Sequence, residues 1–422
     1  MAPPATQRQP YYIIALLILA GEAVFILPFV LARVFRPTVL EVFNLNNLEL
    51  GLCFSVYGVV ALISYLFGGP LADRFHPRLL MGTALVLTAF GGFYYATFPP
   101  FLPLQILYGY WGFTTIFLFW AAMIKATRMW GGSDKQGTAF GFLDGGRGLV
   151  AASFGLLGVV VFTYFVSSEI GAATITERKN AFREVILVSS FVILVIAGLV
   201  FLFLRPKPAA RADTETPEKL ELFKNFRTVS SIPSVWLLMV IILCAYTGYK
   251  TTDIFSLYAR EVMLFNEIEA AQVGTFLLYI RPITGVMVGF LADKSRGSVL
   301  LVVGFIVMLF GSILFASGVL GPTLVVPFLL GLLVTALGVY AARVLYFAVL
   351  REGKIPLALT GTAVGLISLV GYMPDIFAGP AMGYLLDASP GETGHQHTFW
   401  MLAVFSLIGL LASLAFYRIA RK

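Results

Sequence analysis

Ionisable side chains set inside long apolar runs are the residues of this sequence best placed to do chemistry. Glu22, Arg33, Lys125, Arg128, Asp144, Arg147, Lys250, Asp253, Arg281, Arg343 and Asp375 fall in or at the edges of stretches otherwise made of Leu, Val, Ile, Phe, Ala and Gly. A charge at the centre of a membrane-spanning helix costs about 2.5–3.5 kcal/mol on insertion scales, so it is expected to face a cavity and to have a partner. Lys125, Arg128, Arg33 and Arg343 lie close enough to the end of a run for the charged head to reach the interface. Those four say less about a cavity than the deeper ones.

The types narrow the chemistry. Guanidinium groups suit an anion in a dry site, because their planar fork matches carboxylate or phosphate and keeps its charge on desolvation. Arg33 and Lys250 supply positive charge, and Arg281 adds more near the middle of its run. Pro282 follows Arg281 and leaves a carbonyl one turn earlier without its amide donor, so Arg281 serves either a substrate or that carbonyl. Arg33, in turn, is either a substrate ligand or an interfacial anchor. Asp144 and Arg147 stand three apart on one helix face, where they neutralise each other or reach a substrate. Proton coupling needs a carboxylate that loads when dry and releases near water or a cation. Glu22 and Asp375, mid-run and without partners on their own helices, are the candidates, the alternative being a structural hydrogen bond across helices.

Elements that carry such groups must tolerate lipid. The chain has 422 residues, 59% hydrophobic and 12% charged, with a mean hydropathy of +0.89. A soluble domain of that composition would expose large apolar patches. Runs of about 20 residues are enough to cross a hydrocarbon core of about 30 Å. Twelve are expected, at 11–35, 49–70, 79–98, 102–125, 138–165, 184–204, 233–258, 270–291, 298–317, 323–348, 358–385 and 398–418. The alternating strands of an outer-membrane barrel are absent from the pattern. The first run is too long for a signal-peptide core and no small-residue cleavage site follows it, so it is expected to stay as a span.

The stretch from Arg205 to Ser231, with Pro206, Pro208 and Pro217, is the long hydrophilic interruption and divides the spans six and six. The expected organisation is therefore a half over 1–204, a cytoplasmic linker over 205–232 and a second half over 233–422. With the N-terminus placed in the cytoplasm, nineteen basic residues fall on that side against six on the other. The positive-inside rule then puts both termini in the cytoplasm of a multi-pass inner-membrane protein.

An internal repeat supports two related halves. Gly69-Pro70-Leu71-Ala72-Asp73-Arg74 returns 220 residues later as Gly289-Phe290-Leu291-Ala292-Asp293-Lys294. The same offset lays the first span on the seventh and the second on the eighth, as parallel repeats about an axis along the membrane normal would require, with a substrate site at their interface. It also lays Arg33 on Asp253, which would then face each other across that axis.

On Gly69 to Arg78 (GPLADRFHPR) and its copy Gly289 to Arg296, the chain resembles the major facilitator superfamily over essentially its whole length. His76-Pro77 stands where that family usually has Gly-Arg. A closer likeness is to the organic-anion and organophosphate branch. Arg33, within Arg33-Val34-Phe35-Arg36-Pro37-Thr38-Val39, is similar to that branch's span-one arginine, and Asp253 to Glu261 (DIFSLYARE) is similar to its span-seven stretch. Trp130 and Lys135-Gln136-Gly137 are similar to it as well, whereas Asp144 and Arg147 replace residues that are usually small or neutral. The resemblance implies an all-α fold of twelve transmembrane helices in two pseudo-symmetric halves, and transport of a small organic anion by alternating access. It implies that Arg33, with Lys250, holds the anion; Asp253, Arg281, Asp144 and Arg147 are the further substrate-binding candidates that the pattern of charge in the runs offers. Gly69, Asp73, Arg74, Arg78, Gly289, Asp293 and Lys294 would form a gate, with the two aspartates against neighbouring helix ends, where dipoles favour carboxylates.

Other classes find little support. No phosphate-binding Gly-x-x-x-x-Gly-Lys-Ser/Thr loop, His-Glu-x-x-His or Gly-x-Ser-x-Gly is present, which argues against an ATP-driven pump and against a membrane enzyme. His395 and His397 lie in what reads as a polar outer loop without a third ligand, so no metal or cofactor is expected. Cys53 and Cys244 sit far apart in apolar runs and suggest packing. The net charge of +7 is spread over short loops, which favours orientation over nucleic acid as its meaning. The expected partners are a small, anionic substrate, the lipid bilayer and protons as a candidate coupling ion, with the chain acting as a monomer. A sensor with the same fold, or a carrier of a neutral or cationic molecule, is the alternative.

Overall fold

Glycine pairs let two helices of this chain run backbone against backbone, and that contact organises its middle. The structure, a computed structural model, describes residues 10–131, 136–166, 174–204, 227–346, 348–350, 352–355 and 360–421. Most of the expected linker, 205–226, lies outside them, as do 1–9, 132–135 with Lys135, 167–173, 347, 351, 356–359 and 422. The described residues are helical and contain no strand. Among them, nine helices are long and apolar enough to cross a membrane, or ten if the bent pair Tyr11–Ala23 and Ile26–Val34 is one span.

The helices follow the expected runs. In chain order they are α1 (Tyr11–Ala23), α2 (Leu31–Val34), α3 (Arg36–Phe43), α4 (Asn47–Arg74), α5 (Pro77–Tyr95), α6 (Phe101–Gly112), α7 (Ala121–Gly131), α8 (Gln136–Phe165) and α9 (Ile175–Phe203). They continue as α10 (Pro233–Thr251), α11 (Phe255–Glu261), α12 (Glu267–Lys294), α13 (Gly297–Ala316), α14 (Val325–Leu345), α15 (Thr360–Gly371), α16 (Pro374–Ala388) and α17 (Glu392–Arg421). The first pass bends by 44° around a π-helical turn, Ile26–Val30, that contains Pro28, whose ring nitrogen cannot donate. A second π-helical stretch, Phe113–Trp120, joins α6 to α7. Capping boxes begin α4, α9 and α12, where Asn46, Thr174 and Asn266 pair with Glu49, Glu177 and Glu269. They carry these helices beyond the apolar runs. His395 lies buried on α17 and not in a loop.

Local geometry repeats at the 220-residue offset. Asn46 and Glu49 correspond to Asn266 and Glu269 in their capping boxes. Asn44 and Leu264 both end a helical segment at positive φ, 52° and 58°, and Phe98 at 55° corresponds to Gly318 at 71°. Buried apolar residues form two cores, one running from Ile13 to Leu204 and joined by Ile268, Ala271 and Leu278, the other from Val229 to Phe416.

The contacts between the cores determine which face is closed. Trp130 Nε1 donates to the Pro10 carbonyl at 3.0 Å, bringing the end of the fourth pass to the start of the first; we call this the terminal face and the opposite one distal. At the distal face Asp387 of α16 accepts from the amides of Asn47 and Leu48 at 3.1 and 2.6 Å and from Asn47 Nδ2 at 3.1 Å. The Arg36 guanidinium, fully buried, donates to Asn47 Oδ1. Arg178 bridges Glu41 at 2.6 Å and Glu267 at 3.2 Å, and Arg260 joins Glu267 at 2.6 Å. Ser256 Oγ donates to the Arg33 carbonyl at 2.8 Å.

Below that seal α4 meets α16 with no side chain between them. A Cβ on Gly51 would overlap the Gly379 carbonyl, one on Gly58 would come within 2.7 Å of the Asp375 carbonyl, and one on Gly383 within 2.5 Å of the Asn47 carbonyl. Gly379 and Gly383 thus allow the close approach that their spacing suggests. Gly285 does not, since its Cβ would meet Val344 at an ordinary 3.7 Å. Gly51→Val is therefore expected to destabilise the folded protein by about 1–3 kcal/mol or more through overpacking. Gly285→Ala should hold or raise stability, as alanine is the better helix former. Melting of the two variants in detergent checks this, and equal melting temperatures would contradict it.

Candidate functional site

Tyr249 stands at the centre of the polar cluster between the cores. Arg33 lies with its guanidinium carbon 4.7 Å from the ring centroid, Arg343 at 3.7 Å and Arg281 at 5.9 Å, so three arginines from α2, α14 and α12 converge on one ring from α10. Each is within reach of a cation–π attraction. Arg33 also donates to the Tyr249 hydroxyl at 3.0 Å.

The bends and breaks bring these side chains inward. Tyr246, Tyr249, Lys250 and Asp253 follow i, i+3, i+4, i+7 spacing and form one stripe of α10 and the 3₁₀ turn after it, Thr252–Ile254. Glu22, Phe25, Phe29 and Arg33 make the corresponding stripe around the bent first pass. Asp375 begins α16 immediately after the break at Tyr372 and Met373. Arg33, Asp253 and Asp375 thus sit beside bends or breaks, whereas Asp144, Arg147 and Arg343 project from the continuous helices α8 and α14.

Four ion pairs among the described residues fill the site. Arg33 Nε bonds Asp253 at 2.5 Å, with both side chains about 95% buried. Arg147 bonds Glu22 at 3.0 Å, and its guanidinium also covers Phe25 and Trp120 at 5.3 and 5.4 Å. Lys250 bonds Asp375 at 3.2 Å and lies over Phe29 at 4.7 Å and Phe54 at 5.4 Å. Asp375 additionally accepts from the Tyr246 hydroxyl at 3.0 Å. Arg281 bonds Asp144 at 3.2 Å; the arginine is buried, but the Asp144 side chain is 59% exposed. Asp144 is eight residues into α8, about 12 Å along it, and a charged carboxyl at such depth requires water around it.

Arg343 differs from the other cations of this cluster. It has no carboxylate within ion-pair distance among the described residues, and its Nη1 is buried without a hydrogen-bond partner. Three residues earlier on α14 the Tyr340 hydroxyl is also buried and unsatisfied, with its ring 6.4 Å from that of Tyr249. Buried polar atoms without partners are costly, and here two of them belong to side chains that both lie against Tyr249.

Several sequence expectations change. Neither Arg33 nor Arg343 reaches back to an interface; both turn inward onto Tyr249. Asp144 and Arg147 do not neutralise each other, because each finds its counter-charge on a different helix, Asp144 on α12 and Arg147 on α1. Arg281 gives a guanidinium N–H to Asp144. His395, expected in an outer loop, is buried against Tyr258 and bonds Glu261 at 2.8 Å.

The repeated loop motif is only partly described. Its backbone ends α4 at Arg74 and α12 at Lys294, and Pro77 and Gly297 start the helices that follow, with Arg78 on α5. The side chains of Asp73, Asp293 and Lys294, and the surroundings of Gly69 and Gly289, lie outside the described residues. Among the described residues, Glu352 places a carboxylate at the start of α13, accepting from the Gly297 and Ser298 amides at 2.8 and 3.2 Å.

Sequence reasoning passes over the tyrosines and discounts Arg343 as a side chain near a span end. The i, i+3, i+4, i+7 stripe through Tyr246 and Asp253 is the available signal for two of the tyrosines, and the three-residue spacing of Tyr340 and Arg343 for the other pair.

Residues 12–379 match the family model of the Major Facilitator Superfamily. The chain belongs to that superfamily. It is a transporter rather than an enzyme. Two relatives are the inner membrane proteins YqcE and YihN of Escherichia coli (strain K12). YqcE is 25% identical over 92% of this chain and 91% of its own length, and YihN is 26% identical over 96% and 95%. With its many apolar helices, this facilitator is a multi-pass inner-membrane protein. Among solved structures, a bacterial homologue of the human lysosomal transporter Spinster, inward-facing and occupied, superposes with a TM-score of 0.76 at 17% identity, covering 97% of both chains. A mutant of the nucleoside transporter NupG does so with a TM-score of 0.71 at 13% identity, covering 97% of this chain and 99% of that one. At those identities the likeness establishes the facilitator fold and nothing about cargo.

Proposed function

We propose that this facilitator moves a small organic anion by alternating access, binding it between the two cores at the ring of Tyr249. The observation that carries the reading is Arg343, a half-buried side chain over the Tyr249 ring with no carboxylate within ion-pair distance among the described residues and a buried, unsatisfied Nη1. A bound carboxylate, sulfonate or phosphate would complete it, with Tyr340, Arg281 and Arg33 as further ligands, Asp253 and Asp144 setting the positions of Arg33 and Arg281, and Arg147 held beside them by Glu22. Lys250 and Asp375, with Glu22, form the second part of the site. Asp375 is the proposed proton carrier, since its protonation would release Lys250 and Tyr246 together; exchange against a second anion is the other means of driving transport. With both termini in the cytoplasm, the sealed distal face is periplasmic and the state is inward-facing. The working unit is proposed to be a monomer.

Purified protein in detergent and in proteoliposomes tests this reading. One class of organic anion is expected to raise the melting temperature by mass action and to be taken up by proteoliposomes under a pH gradient or against a preloaded anion. Arg343→Gln should weaken binding roughly 10- to 100-fold, as expected for a lost charge-assisted hydrogen bond of about 1.5–3 kcal/mol. Stabilisation by neutral or cationic compounds alone, or unchanged affinity in Arg343→Gln, would remove the anion assignment. Binding without uptake would favour a sensor.

A further inference from the structure

We infer that the cargo carries one negative charge, as a carboxylate, sulfonate or sulfate ester does, and that phosphate monoesters are excluded by charge. This rests on the anion reading above and goes further by fixing the valence. Between the cores at mid-depth, the described residues place five cations, Arg33, Arg147, Lys250, Arg281 and Arg343, against four carboxylates, Glu22, Asp144, Asp253 and Asp375. Four cations are each held by one carboxylate, and the single excess charge is that of Arg343. Arginine keeps its proton even when desolvated, so this excess cannot be removed by the loss of a proton from Arg343.

The geometry agrees with the count. One donor, Arg343 Nη1, and one hydroxyl, Tyr340, are both buried and unsatisfied on side chains that lie against Tyr249, and a single anionic headgroup would complement the two. A monoanion placed there brings the cluster to neutrality, so it can be enclosed by the two halves with little residual charge. A phosphate monoester carries about 1.5 to 2 negative charges at neutral pH. With Asp375 ionised and paired to Lys250, as in this state, it would leave the enclosed site net negative. Net charge left in a dry site is unfavourable, and enclosure is the step at which the penalty would be felt.

Asp144 sets this valence. It is the exposed member of the four carboxylates, on a pair with a 3.2 Å contact, whereas Asp253 is buried in its pair. Removing its charge frees Arg281, 5.9 Å from the same tyrosine ring that Arg343 covers, and the cluster then has two cations to spare. Asp144→Asn is therefore the change that should admit a dianion.

The test uses esters of equal shape and different charge: glucose 6-sulfate against glucose 6-phosphate and butyl sulfate against butyl phosphate, at pH 7.5, with glucose and butanol as neutral controls. Affinity is read by melting shift and by calorimetry on the full-length protein. For the native sequence the sulfate esters should bind at least tenfold more tightly than the phosphates. In Asp144→Asn that ratio should shrink at least tenfold or invert, and in Arg343→Gln sulfate binding should fall to the level of the neutral controls. Tighter phosphate than sulfate binding by the native protein, or an unchanged ratio in Asp144→Asn, overturns the valence assignment and leaves the anion reading standing. Binding of the neutral controls alone, or of none of the esters at 10 millimolar, removes the anion reading itself.

Discussion

Asp253→Ala and Arg33→Ala are each expected to cost about 3–5 kcal/mol of stability, the range for breaking a buried pair and stranding one charge. Both side chains are about 95% buried and meet at 2.5 Å. The partner left behind has little recourse. After loss of Asp253, the Arg33 guanidinium keeps the Tyr249 hydroxyl, a neutral oxygen at 3.0 Å, as its polar contact. After loss of Arg33, the carboxylate of Asp253 stays buried with no other ion pair among the described residues. The double variant Arg33→Ala/Asp253→Ala removes both charges and should recover much of the loss, since a neutral cavity costs less than an uncompensated ion. Melting temperatures of the four proteins of this cycle measure the coupling. Additive single losses would mean that the two charges do not interact in the folded protein.

Asp387→Ala should unseal the distal face. One carboxylate there accepts three hydrogen bonds from the start of α4, two of them from backbone amides that the first turn of a helix leaves unpaired. Hydrogen bonds to charged groups contribute about 1.5–3 kcal/mol each in favourable settings. They are not additive, and water would replace them once the face opens. A net loss of roughly 3 kcal/mol shifts a two-state equilibrium by about a hundredfold. Spin labels at Thr97 and Val319, exposed distal positions in the first and second core regions, report the separation. Cys53 and Cys244 are fully buried and should label poorly. The native protein should show one short distance and Asp387→Ala a second, longer population, with Asp387→Asn between them because it keeps an acceptor. An identical distance distribution in native and Asp387→Ala protein would show that the seal is held elsewhere.

The fold could be read from the sequence because lipid imposes a simple demand, long apolar helices, and because the Gly-x-Leu-Ala-Asp stretch is repeated. Asn46 and Asn266 fall outside the apolar runs, so hydropathy places the helix starts too late, and only the capping geometry recovers them. The site was partly legible. Charge in an apolar run picks out Arg33, Lys250, Asp253, Arg281 and Asp375, all of which lie in the cluster. Pairing was much less so. Helical spacing says that Asp144 and Arg147 can meet, yet not that α12 and α1 each offer a better-placed counter-charge. Distance from a run's end misplaces Arg343 for a related reason: a long side chain near an interface can also turn inward, and the face of α14 that looks at Tyr249 is fixed only by packing. The tyrosines escape notice because they carry no formal charge and are common in membrane helices.

Arg33 and Asp253 stand 220 residues apart, the spacing at which the Gly-x-Leu-Ala-Asp stretch returns, and yet carry opposite charges. Two copies of the first repeat set face to face would bring Arg33 against Arg33, and two copies of the second would bring Asp253 against Asp253. Either arrangement buries like charges a few ångströms apart. Only the unlike partner satisfies each half, so this single pair acts as a recognition rule. Such a rule would disfavour exchange of like segments between neighbouring molecules in the plane of the bilayer, since each would meet its own charge.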